Sequence, residues 1–259
     1  MKRPKLKIFL GLLLLLVGWV YISGIEGDRP RVDLAPMSST PGEGPVLVIG
    51  GTRATGLDIV KLLRERGDEV FVLVRPSSDA SEVEATGARV VRGDALNPDD
   101  MTAALASAQF RAIVSTLGGK NLEGPRPDFE GTRTSVDAAR AAGVSRYVLI
   151  TVIGAGDSRD ASPALASYVL RNVIPEKTKA EDYLKTSGLD YTIIRPGGLL
   201  NKEAQGKAYL TEDHRAMSWI RRADLAVLAV RALDDPRTIG KTYHAFDPDR
   251  TRFWSIPTN

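Results

Sequence analysis

The chain has 259 residues, 43% of them hydrophobic and 26% charged, a balance that fits a globular protein with a sizeable core and excludes wholesale disorder. It contains no cysteine, which excludes disulfide frameworks, thiolate metal sites and cysteine nucleophiles. Lys and Arg total 35 against 32 Asp and Glu, but Lys2, Arg3, Lys5 and Lys7 crowd the N-terminus, so the rest is near neutral and lacks the charge of a general nucleic-acid binder.

The chain opens with those bases and an 18-residue run without a charge, Ile8–Ile25. As a helix it would measure about 27 Å, close to a hydrocarbon core of about 30 Å. Trp19 and Tyr21 fall near its far end, where aromatic rings favour the lipid–water boundary. A retained single-pass anchor over residues 1–25 is preferred to a cleaved signal or a buried core helix, because Tyr21–Ile25 offers a poor small-residue cleavage pattern. The lipid bilayer is thus an expected partner through Ile8–Ile25. Residues 26–44, rich in proline and small polar residues, read as a flexible linker without a packed core.

From Pro45 onward, short β-branched runs alternate with helical stretches. The runs 46–50, 69–75, 88–91, 112–117, 146–152, 191–196 and 241–246 read as strands. Helices are expected over 54–66, 98–107, 129–142, a stretch ending near Gly188, and 222–233. Repeated βα units with continuous apolar strands imply a doubly wound α/β domain, a parallel-sheet Rossmann fold over 45–259 that follows one N-terminal transmembrane helix.

The sharpest local feature is Gly50-Gly51-Thr52-Arg53-Ala54-Thr55-Gly56, set between the first strand and the first helix. Glycines allow a turn tight enough for backbone N–H groups to approach a pyrophosphate, and the helix N-terminus adds unpaired donors and a positive dipole end. The alternative is a plain connecting turn. At the end of the second strand, where NAD-preferring domains carry an acid for the ribose hydroxyls, stands Arg75. A guanidinium pairs with a 2′-phosphate where a carboxylate would repel it, so NADP(H) is preferred, with NAD(H) as the alternative.

The loop resembles the fingerprint of extended and atypical short-chain dehydrogenases, and the NmrA-like NAD(P)-binding group in particular, over about residues 45–246. The departure is Arg53 in place of the middle glycine, a variant the resemblance assigns to the cofactor phosphates; otherwise it is a solvated surface arginine. The resemblance implies cofactor contacts from Gly50, Thr52, Arg53, Ala54, Thr55 and Gly56, and from Arg75. It assigns Asp94 and Ala95 to the adenine, with an N-cap role for Asp94 as the structural alternative. Ser115, Thr116, Leu117 and Gly118 would pass beneath the nicotinamide ribose, and the Arg195-Pro196-Gly197 turn would bring Pro196 and Gly197 to the nicotinamide amide. The Arg222-Ala223-Asp224 element reads as structural, with Asp224 as a helix N-terminal charge.

Thr151, after the fifth strand, is the candidate catalytic hydroxyl, and the Lys177-Thr178-Lys179-Ala180-Glu181 segment puts the family lysine at Lys177. Its alternative role is an i,i+4 partner of Glu181 on an exposed helix. Four residues before Lys177 stands Val173 where the family's tyrosine is usual. Without that phenol, ordinary carbonyl reduction loses its proton donor, whereas flavins, quinones and similar conjugated acceptors can be protonated by solvent.

Two activities follow as expectations: an NADPH-dependent reductase of a small conjugated acceptor, or a non-catalytic cofactor sensor or assembly factor on a membrane protein complex. The spans 158–172 and 201–219 are expected to wall the acceptor pocket. His214 and His244 are isolated in the sequence, lack acidic partners at metal spacing and do not read as metal ligands. The side of the membrane stays open, since the N-terminal bases favour export of the domain and a nucleotide cofactor favours an interior compartment.

Overall fold

The apolar runs become neighbouring strands because their side chains alternate between two buried faces. The computed structural model describes residues 29–119 and 126–251. Strands β1 (Val46–Ile49), β2 (Val70–Val74), β3 (Arg89–Arg92), β4 (Ala112–Ser115), β5 (Arg146–Ile150), β6 (Asp190–Pro196) and β10 (Lys241–Phe246) lie parallel, and β8 (Tyr209–Thr211) closes the sheet antiparallel to β10. The order β3-β2-β1-β4-β5-β6-β10-β8 reverses direction at β1, whose Val46 pairs with Val70 on one side and Ala112 on the other. Two short strands, β7 (Gly198–Leu200) and β9 (Trp219–Arg221), form a separate parallel pair.

Val46, Val48 and Val72 point into one layer with Leu57, Ile59 and Leu63 of α1 (Ala54–Arg66) and Leu225, Leu228 and Ala229 of α7 (Arg222–Asp234). Leu47, Ile49 and Leu73 point the other way, onto α3 (Pro98–Ala106), α4 (Glu130–Ala142) and α6 (Ile174–Lys185). Two short helices, α2 (Ser81–Glu84) and α5 (Ala164–Val169), and a 3₁₀ turn over Gly156–Ala161 were not apparent from periodicity. α1 ends on Gly67, whose φ of 95° is left-handed, with Arg64 and Arg66 in its last turn. α3 starts on Asn97, whose side chain accepts from the Asp99 N–H ahead of Pro98 at the first helical position.

The stretch expected to be a flexible linker is, over its described part, fastened to the domain. Arg29 N–H donates to the Tyr209 hydroxyl at 3.0 Å and its guanidinium to Asp213 at 2.8 Å. Val32 N–H donates to Leu210 O on the edge strand, and Leu34 is buried against the α1–α7 layer. Ala35 and Gly42 donate to the carboxylates of Asp235 and Asp68, and Arg231 and Arg237 donate to carbonyls of residues 33–35. Composition gave no periodicity here because the segment is held by backbone groups rather than by an apolar face. Among the described residues no helix is long and apolar enough to cross a membrane; Ile8–Ile25 lies outside them.

Candidate functional site

The sheet's reversal of order opens a crevice at the carboxyl ends of β1 and β4, where doubly wound folds bind their ligands. A cleft of about 1070 Å³ runs there from the end of β2, across the glycine loop, to the ends of β5 and β6. Its loop is built by close approach. Gly50 has φ 83°, and a Cβ on Gly56 would stand 2.2 Å from Gly50 O and 2.7 Å from Thr116 Oγ1. The Thr116 hydroxyl in turn donates to Gly50 O at 3.1 Å, tying the loop to the end of β4. The first helical turn is left without a side-chain cap, so its N–H groups face the cleft.

Around this loop the cations outnumber their partners. Arg53 and Arg75 both line the cleft and are exposed. Arg222, which the sequence reading left as scaffold, also lines it and reaches Asn201 Oδ1 at 2.7 Å. Burial lowers the Arg222 guanidinium from its ordinary range; Asp58 opposes that shift and neighbouring Arg53 adds to it. Uncompensated positive charge above a helix N-terminus suits a pyrophosphate, and Arg75 with Ser77 and Ser78 beyond it suits a further phosphate. The loop a Cβ would fill and these guanidinium groups along the cleft fit a nicotinamide dinucleotide.

Of the expected cofactor contacts, Gly50, Thr52, Arg53, Ala54, Thr55, Gly56, Arg75, Asp94, Ala95, Thr116, Leu117, Gly118, Thr151, Lys177 and Pro196 all line the cleft. Ser115 and Gly197 stand outside that lining: Ser115 is fully buried, and Gly197 is pressed against Ser218 O. Asp94 is not a helix cap. Asn97 takes that position, and the Asp94 carboxylate accepts from Leu96 N–H at 3.0 Å. Neither span expected to wall the acceptor pocket contributes to the cleft; Val173 and Leu199, just beyond their ends, do.

The far end of the cleft is internally neutral. Lys177 is not an exposed partner of Glu181. Its buried ammonium donates to Leu117 O and to Ile150 O at 3.3 Å and pairs electrostatically with Asp128 Oδ1 at 3.1 Å. Arg126 completes this cluster at 2.9 Å from Asp128. Thr151 Oγ1 donates to Glu181 Oε1 at 2.7 Å. Glu181 also accepts from Arg195 Nε at 3.0 Å and from Nη2 at 2.6 Å, both residues being fully buried. Burial alone would lower Arg195; Glu181 and Asp157 outweigh it and raise the guanidinium above its usual range. No tyrosine lines the cleft among the described residues: Tyr168 is exposed on α5, and Tyr183 donates to Asp137.

The chain of contacts continues outward. Arg195 Nη1 donates to Asp157 at 2.6 Å, and Asp157 meets His214 Nδ1 at 2.8 Å. Burial would raise Asp157, but these two partners hold it well below the usual carboxylate range. The histidines, isolated in sequence, stack on each other with ring centroids 5.2 Å apart. His244 is fully buried and meets Ala216 O through Nδ1, and burial pushes it down to about 4. Asp224 sits in the first turn of α7, as expected of a helix N-terminal charge, and also accepts from Gln205 and Gly206 N–H.

Sheet order, loop and cleft define a Rossmann-type dinucleotide-binding protein. The sequence matches the NAD(P)H-binding family over residues 50–236, and the chain belongs to that family. Its structure is similar to that of ChuY, an anaerobillin reductase from Escherichia coli O157:H7, with a TM-score of 0.73 and 33% identity over 79% of this chain and 98% of that one. Among relatives, the NAD(P)H azoreductase of Xenophilus azovorans is 28% identical over 212 residues, 78% of this chain and 68% of the enzyme. Photosystem II assembly factor Ycf39 of Guillardia theta is 28% identical over 207 residues, 76% of this chain and 63% of the factor. The resemblance to NmrA-like atypical short-chain dehydrogenases agrees with this membership.

Proposed function

We propose that the protein is an NADPH-dependent reductase of a flavin, quinone or similar conjugated acceptor, held at a membrane by Ile8–Ile25. The observation that carries the reading is a single cleft joining an anion-binding loop to Thr151 and Lys177 with no phenol beside them. A bound nicotinamide nucleotide supplies a hydride there. Arg53, Arg222 and the α1 N-terminus orient its phosphates, and Arg75 with Ser77 and Ser78 selects the 2′-phosphate. Lys177 braces the β4 and β5 ends rather than donating to a substrate, and Thr151 presents a hydroxyl fixed by Glu181. Acceptors whose reduced form takes its proton from water suit such a site. The azoreductase and anaerobillin reductase among its relatives also point to conjugated acceptors.

A second reading, a cofactor-bound assembly factor without turnover, is favoured by the burial of Lys177 against Leu117 O, Ile150 O and Asp128 and by the likeness to Ycf39. Single-turnover oxidation of NADPH with FMN and small quinones separates the two. Turnover with saturable binding supports the reductase, whereas saturable binding without turnover supports the assembly factor.

A further inference from the structure

We infer that α5 and its flanks form a surface that lies against the lipid bilayer, so that the domain rests on the membrane rather than floating above it. The inference deepens the proposed tether and rests on it. Three of the six large hydrophobic side chains that are exposed among the described residues belong to this one short helix: Leu165 at 71%, Tyr168 at 67% and Val169 at 41%. At i, i+3 and i+4 they share one face, and no residue of the helix is buried. The Arg171 guanidinium lies 5.0 Å from the Tyr168 ring centre, and Arg159 is exposed just upstream. An aliphatic face bordered by a tyrosine and arginines is the composition that settles at a headgroup boundary.

The chain's own path decides in favour of lipid as the occupant. The uncharged run ends at Ile25, four residues before Arg29, which is already bonded to Tyr209 and Asp213. Four residues span at most about 14 Å. A run held in lipid therefore keeps this corner of the domain at the interface. His214, adjacent to Asp213, contacts Asp157 at the start of the 3₁₀ turn that leads into α5. The exit point is thus linked through Asp213, His214 and Asp157 to the turn that precedes the apolar face.

The absence of cysteine allows single labels on the full chain. A nitroxide at Tyr168→Cys, in full-length protein reconstituted into phosphatidylcholine–phosphatidylglycerol vesicles, should be severalfold more accessible to oxygen than to a nickel chelate. A label at Glu82→Cys on α2, by the opposite sheet edge, should show the reverse. Adding Leu165→Asp should return the label at 168 to water. If label 168 is as water-exposed as label 82 while carbonate fails to extract the chain, the docking is overturned and the tether stands. Extraction by carbonate overturns both. A label at 168 that is immobilised but shielded from oxygen as well as nickel marks a protein contact and also overturns the docking.

Discussion

The two ends of the cleft handle charge in opposite ways. At the loop, Arg53, Arg75 and Arg222 line the open space, and Asp58 is the carboxylate set against Arg222. At the far end every charge has its counterpart: Lys177 with Asp128, and Arg195 with Glu181 and Asp157. The first arrangement is completed by an anionic ligand and the second is complete already. On the proposed reading, binding energy for a dinucleotide would therefore be concentrated at the phosphates, with the far end as a neutral floor.

The largest test of this contrast removes one carboxylate from the neutral end. Glu181→Ala leaves the buried Arg195 guanidinium without its main partner and should lower stability by about 3–5 kcal/mol in urea unfolding. NADPH affinity, measured on whatever fraction stays folded, should change little.

At the other end the expectation inverts. Gly56→Ala forces a Cβ into Gly50 O and should weaken NADPH binding by about a hundredfold, about 3 kcal/mol by calorimetry.

The histidine pair extends the test to pH. His244 titrates near 4 when folded and near its ordinary 6.5 when unfolded. Between these values the unfolded chain binds more protons, so stability is full above about 6.5 and falls as pH drops toward 4. The loss should be about 2 kcal/mol at pH 5. Urea midpoints at pH 7.5 and pH 5 measure it, and His244→Gln should shrink the difference.

Smaller effects should distinguish the cations. Arg222→Ala should raise the dissociation constants of NADPH and NADH together, by about tenfold, since both carry the pyrophosphate. Arg75→Ala should penalise NADPH alone, by about tenfold or less, because only NADPH has the 2′-phosphate. Equal losses for the two cofactors at Arg75 would remove it from 2′-phosphate recognition.

The features legible in the sequence were those set by local chemistry. The β-branched strands and the glycine loop before α1 could be read from neighbouring residues, and Val173 in place of a phenol from the register of the resembling family. The neutral end was legible only in part, because its partners are far apart in the chain. Lys177 was identified, but Leu117, Asp128 and Ile150 reach it through tertiary folding, and nothing in the helix periodicity distinguishes a buried brace from a surface pair with Glu181. The Arg222-Ala223-Asp224 element reads as structural by its resemblance to the family; the place of Arg222 over the loop follows from α1 and α7 packing side by side. The 29–44 segment was read as slack chain because its fasteners, Arg231, Asp235 and Arg237, lie about two hundred positions later and grip main-chain atoms.

That fastened segment also governs how the sheet meets other molecules. A terminal strand with free amide and carbonyl groups invites pairing with a foreign strand. β8 is such a strand, and Val32 already occupies its outer side through Leu210. The opposite border, β3, is guarded differently, by the exposed side chains of Arg89 and Arg92. One flank is shielded by the chain folding back on itself and the other by the bulk of exposed arginine side chains. A version shortened past Leu34 would bare the first flank and become prone to strand-to-strand self-association.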